Sequence, residues 1–400
     1  NMRKFYITLL LIKLFLSNDK VYRIPFGLFN QKKSEIDSDI INNIIYNRLY
    51  LNLSIGTPPQ IVPFELDINS QTFSVSNDIY NRNKSSTYEQ ISKKEAYFSY
   101  EDAEKGFNSK DVLNIDKSDN KKINFILCTI YQANKKNNLG ILGLRIPKKV
   151  QFGVYPFFLS LKQAGIINSY TWTLKYFDNI SLIEQFIYDE KKDNIIGEFI
   201  FGDEPCHYEE DKNKYNEKEF RQVTPISTKD TIYWDIEFNN IYLNFKENNN
   251  NSIIYYTGGK IAEIIINFSF IIGPKYFFDF MEENFFSQYL SDKICSRKIV
   301  EFYYYYFECE NNPSFNIESF PDISFEHIGL ETTFNLTYKD LFVTDKENKK
   351  YTFLIITKDY FSDWVLGAAF LRKFQFVFNV DTKTIGYYRQ VMHFDDDNEG

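Results

Sequence analysis

Asp67 lies in Phe64-Glu65-Leu66-Asp67-Ile68-Asn69-Ser70, a single carboxylate on a turn that interrupts apolar, strand-forming residues. Such a group either bonds nearby backbone amides as an ordinary turn aspartate or moves a proton at a substrate as a general acid or base. Other chemistries have thinner support. His207, His327 and His393 are too scattered for a metal set and read as surface histidines. The four cysteines, Cys128, Cys206, Cys295 and Cys309, allow three pairings and lack the close spacing of a zinc site. Cys128 and Cys206 also lack the His and Asn context of a thiol nucleophile. No metal or cofactor is expected.

The elements that must position Asp67 are strands. From Ile44 onward, short runs of Ile, Phe, Tyr and Val are punctuated by Asn, Asp, Gly and Pro, at intervals of roughly 8–12 residues as in an all-β chain. Helical spacing is confined to Pro156 to Gln163, closed by Gly165, and to Pro274 to Phe285. The aromatic run Tyr303 to Phe307 reads as a strand. A pattern recurs at long period. Leu66 to Ser70 is followed by Gly140-Ile141-Leu142-Gly143-Leu144, and Ile264 to Ser269 by Trp364-Val365-Leu366-Gly367-Ala368. The duplication predicts two similar β lobes, each turning a loop toward a shared cleft.

With 400 residues, 44% hydrophobic and 25% charged, the chain has enough apolar surface for a core in each lobe. Its net charge of -8 and interspersed Lys and Arg exclude a continuous basic face for nucleic acid. Met2-Arg3-Lys4 followed by a short apolar run reads as a signal peptide over 1–17, too short for a membrane span. Residues 18–43 read as a prosegment-like linker, 44–210 and 211–390 as the two lobes, and 391–400 as an acidic tail. Sequons start at Asn52, Asn83, Asn179, Asn250, Asn267 and Asn335. Disulfides and sequons fit a secretory route, ending outside the cell or in a lysosome-like or vacuole-like compartment.

Between Tyr46 and Tyr388 the chain resembles the pepsin-like aspartic peptidases. The residues that carry the likeness come in the family's order: Ile55-Gly56-Thr57-Pro58-Pro59-Gln60, Lys84-Ser85-Ser86-Thr87-Tyr88, Leu139 to Leu144, Gly197 to Gly202, Tyr233-Trp234, Phe320 to Phe325 and Trp364 to Leu371. Val21 to Pro25 is similar to the start of a family prosegment. The resemblance implies an all-β, bilobal acid-protease fold of two similar β-barrel lobes around a central cleft, a peptide or protein ligand in that interlobe cleft, and a monomer. It also implies a disulfide between Cys295 and Cys309, which leaves Cys128 to pair with Cys206.

In that family two Asp carboxylates, one per lobe, share a proton and hold a water between them. Asp67 matches the first. The place of the second is taken by Ile265, which cannot transfer a proton. The Thr after each Asp, whose hydroxyls cross-link the loops in the family, is Ile68 and Ile266, and the following Gly is Asn69 and Asn267. Asn tolerates positive φ, so the turns are expected to survive. Ser70 keeps the family's Ser position and Tyr100 its flap tyrosine, Ser269 with Asn69 and Asn267 is expected among the substrate-binding residues, and the Trp behind the flap is Ser74. Facing Ile265, Asp67 is expected to titrate as an isolated, desolvated acid with a raised pKa. The set predicts a peptide-binding pseudopeptidase. The alternatives are an active endopeptidase with a displaced second acid, Glu263 or Asp102, and a structural or inhibitor-like secreted protein.

Overall fold

The computed structural model describes residues 21–30, 47–99, 104–115, 121–130, 139–145, 156–178, 194–205, 215–225, 233–245, 252–300, 303–345 and 349–389. The architecture is the two-lobed, mainly β arrangement expected from the pattern of short strands.

In the first lobe the strand Asn47–Ile55 pairs with Gln60–Asp67, and a chain of neighbours runs through Gly140–Gly143, Phe73–Ser76, Lys121–Ile130 and Glu104–Leu113. The last closes on the first, with Ile55 opposite Leu113, so six strands form a barrel. Closure buries alternate side chains inward, among them Phe64, Phe73, Val75 and Phe125, all but fully removed from water. The hairpin at Ile55 to Gln60 turns through Gly56, whose φ of 90° is one that a residue with a Cβ rarely adopts.

The sheet does not stop at this barrel. The strand Tyr22–Asn30 lies between Asn47–Ile55 and Ile195–Phe201, with Phe26 wholly buried. The stretch 18–43, read as a linker, thus contains a nine-residue strand. Its Ile24, Phe26 and Leu28 alternate inward, a period-2 pattern that the Pro and Gly within it obscured. Beyond Ile195–Phe201 come Thr171–Tyr176, then Phe376–Asn379, Thr384–Tyr388 and Phe220–Val223 from the second half of the chain. Hydrogen-bonded sheet therefore runs across the 210/211 division.

The second lobe is a separate mixed sheet of eleven strands along Asp235–Asn244, Ser252–Ile264, Trp364–Leu366, Ile271–Ile272 and their neighbours. Phe157–Gln163 is helical, preceded by Pro156 and followed by Gly165 at φ 65°, as the spacing predicts. The helix after Pro274 differs from expectation. It runs Lys275–Met281, widens to a π turn over Glu282–Phe286, and continues as Ser287–Ser291. Phe277, Phe278 and Met281 face the core at helical spacing, and the next buried residue, Phe286, stands five places on. The wide turn returns Phe286 to that face, stacked 4.0 Å from Phe307. The strand at the aromatic run spans Tyr304–Glu310.

Cys295 and Cys309 stand opposite one another in a ladder and form a disulfide. Cys206 lies outside the described residues, as do the side chain of Cys128, Tyr100, Asp102, His207, His393, the signal segment and the acidic tail. His327 is not a surface residue. It is 6% exposed, its Nδ1 accepts from the Leu330 amide at 3.2 Å, and burial lowers its pKa. The sequons at Asn52, Asn83 and Asn335 are exposed, whereas Asn267 is half-buried.

Candidate active site

The two lobes present the same local construction. Gln60–Asp67 runs parallel to Gly140–Gly143, with Leu66 opposite Leu142, and Phe73 lies antiparallel to the same Leu142. Ser252–Ile264 runs parallel to Trp364–Leu366, with Ile264 opposite Leu366, and Ile271 lies antiparallel to that Leu366. Leu66 thus corresponds to Ile264, Leu142 to Leu366 and Phe73 to Ile271. The loops repeat as well: the Gly143 amide donates to Thr72 O at 2.8 Å, and the Gly367 amide to Phe270 O at 3.0 Å. The residue after Leu66 is Asp67, and the residue after Ile264 is Ile265. Equivalence of these two places follows from strand register alone.

Asp67 accepts from the Asn69 amide at 2.8 Å, and its own carbonyl accepts from the Leu144 amide at 2.8 Å. Burial raises its carboxyl above the ordinary value, opposed by the Asn69 and Ser70 amides and by the Arg48 and Arg145 charges. The Ser70 hydroxyl bonds Thr72 Oγ1 at 2.8 Å and accepts from the Thr72 amide, so it braces its own turn. Neither Asn69 nor Asn267 has positive φ. Both turns therefore form without the left-handed conformation for which Asn was expected to be suited.

On the other side the Ile265 amide donates to Leu366 O at 3.1 Å, and its side chain packs partly buried against the core. Ile266 is wholly buried and Ile68 2% exposed, so apolar contact replaces hydroxyls at both places. Ser269 is buried, and its carbonyl accepts from the Ala369 amide at 3.0 Å. Ser74 is fully buried in the strand Phe73–Ser76, and its hydroxyl has no hydrogen-bond partner among the described residues.

Charged groups that the spacing argument passed over complete the site. Glu65, two residues before Asp67 on the same strand face, is 7% exposed and ion-paired to Arg48 at 2.7 Å. Its Oε1 accepts from Asn267 Nδ2 in the other lobe at 3.4 Å. Burial raises the Glu65 pKa against the pull of Arg48, and the Asp67 charge raises it further. Glu263 holds the equivalent place before Ile265 and lies opposite Asp235 in its ladder. Burial raises its pKa too, offset by Arg145. The Arg145 guanidinium donates to Asn69 O at 3.3 Å and sits 4.7 Å over the Tyr233 ring, while Trp234 Nε1 donates to Leu144 O at 3.0 Å. The alternation that singles out Glu263 in the sequence, applied to Asp67, also finds Glu65. Nothing in the sequence marks Arg48 or Arg145 as its neighbours.

Two segments related by a local repeat therefore meet at the contact of Glu65 with Asn267, one carrying a desolvated carboxylate and the other an isoleucine. The family model for eukaryotic aspartyl proteases matches residues 49–389. No curated protein sequence matches the chain.

Proposed function

From the premise that this chain belongs to the eukaryotic aspartyl protease family, we propose that it binds peptide or protein segments between its lobes and is impaired in hydrolysis. The observation that carries this reading is Ile265 in the register position equivalent to Asp67. Peptide hydrolysis by a carboxylate pair divides the work. One ionised group takes a proton from water while its protonated partner polarises the scissile carbonyl. With isoleucine opposite, Asp67 has no partner at that place to hold the shared proton. Loss of one member of a set that acts as a unit lowers the rate by several orders of magnitude and leaves binding in place. The buried disulfide and the basic, then apolar, N-terminus support a secretory route for the protein.

A second reading is hydrolysis with a displaced acid. It draws support from Glu65 and Glu263, both raised by burial and each two residues before one of the paired positions. One experiment separates the two. Purified protein and its Asp67→Asn variant are assayed on an unfolded protein across acid pH, and a statine-containing peptide is titrated by calorimetry. Binding with no Asp67-dependent turnover supports the proposal. Turnover abolished by Asp67→Asn sinks it in favour of the displaced acid.

A further inference from the structure

The loops of the two lobes meet through a polar contact where the hydroxyl pair of the family is absent. Glu65 is held in its own lobe by Arg48 at 2.7 Å, and its second oxygen receives Asn267 Nδ2 from the opposite loop at 3.4 Å. Ile68 and Ile266, adjoining Asp67 and Ile265, supply no donor or acceptor through their side chains. Leaving a buried carboxylate with one oxygen unsatisfied costs more than the hydrogen bond it forgoes, so Glu65 favours the arrangement in which Asn267 reaches it. Arg48 restricts the side chain of Glu65 and thereby gives the contact a defined direction.

We propose that Glu65 is a positioning residue, a cross-lobe tether through Arg48 and Asn267 that sets the separation of the Asp67 loop and the Ile265 loop. The role rests on reading these loops as the floor of the peptide cleft. The tether itself is testable without any ligand. Asn267 then has a use for the bulk that a glycine at its position would lack, namely reaching across the seam between the lobes. Arg145 and Trp234 lie at the same seam, but Arg145 meets an aromatic ring and Trp234 a backbone carbonyl, so neither answers the buried Glu65 oxygen.

The test is amide hydrogen exchange on the intact, unliganded protein. Asn267→Ala removes the donor from the second lobe, and it should speed exchange of the Leu144 and Asn69 amides in the first lobe by about tenfold or more. Glu65→Ala should do the same for the Ile265 amide of the second. The double variant should be little worse than either single one, because both remove one contact. Glu65→Gln combined with Arg48→Met discards both charges of the ion pair together and keeps a carbonyl oxygen for Asn267, and it should restore slow exchange. Exchange changes confined to the lobe that carries the substitution, or additive effects in the double variant, would overturn the tether. Calorimetric titration of a statine-containing peptide decides the cleft reading separately: failure of the parent to bind would remove the cleft while the exchange data still decide the tether.

Discussion

Asp67 and Ile265 occupy equivalent positions in two repeated units, each following a residue that pairs with the leucine of a Leu-Gly pair, Leu66 with Leu142 and Ile264 with Leu366. That relationship makes Ile265→Asp the most informative substitution. A carboxylate there would compete with Asp67 for one proton, and hydrolysis of an unfolded protein at acid pH should rise at least about tenfold over the parent. Burying the new acid should cost about 1–3 kcal/mol of stability at neutral pH. Initial rates and urea midpoints measured together check both. A stable variant with an unchanged rate would show that a carboxylate at this position is not what limits hydrolysis.

The glycines that follow Leu142 and Leu366 hold the loops close. A Cβ on Gly367 would lie 2.2 Å from the carbonyl oxygens of Phe268 and Phe270, and one on Gly143 would lie 2.6 Å from those of Ser70 and Thr72. Backbone cannot yield as a flexible side chain does. Gly367→Ala and Gly143→Ala should each destabilise by about 1–3 kcal/mol or more, and both should weaken peptide binding by moving a loop. Denaturant unfolding and calorimetry measure the two effects.

Asp67, Glu65 and Glu263 all have carboxyls raised by burial. An acid whose folded-state pKa is raised binds its proton more tightly when folded. Its stabilising contribution is complete below the unfolded value, 3.8 for Asp67, and is lost as pH climbs through the raised one. Asp67→Asn removes a desolvated charge, so the variant should be more stable than the parent at neutral pH, with the difference closing on acidification. Urea midpoints at both ends of the range test it; a gap that widens toward acid would reverse the assignment.

The disulfide between Cys295 and Cys309 closes a loop with a sequence separation of 14. Its removal by Cys295→Ser with Cys309→Ser should cost about 3 kcal/mol, chiefly by freeing the unfolded chain. Thermal unfolding of the variant under otherwise equal conditions measures it.

How far the sequence revealed these features differed by residue. The strand texture, the helix at Phe157 and the disulfide were legible, because each rests on local spacing or an ordered motif. The strand Tyr22–Asn30 was not, since Pro25 and Gly27 weaken a period that becomes decisive only when two neighbours complete the ladder. His327 reads as a surface group in the sequence because its burial depends on how its strand packs in the lobe, which no local pattern records. The contact of Glu65 with Asn267 spans 202 residues. Each half of it looks ordinary alone, a glutamate in a strand and an asparagine in an Asn-rich chain.

The strand Phe376–Asn379 hydrogen-bonds to Thr171–Tyr176, with Trp172 stacked 4.0 Å from Phe378 and Thr173 Oγ1 donating to Phe376 O. The consequence is mechanical. Halves joined by a continuous ladder part by flexing that ladder, so separating them strains a spring instead of turning a free joint. A ligand that wedges the halves apart works against this stiffness, and one that draws them together releases none of it. Clipping the chain before Phe376 would remove the spring and leave the first half with an exposed edge along Thr171–Tyr176, ready to pair with another strand.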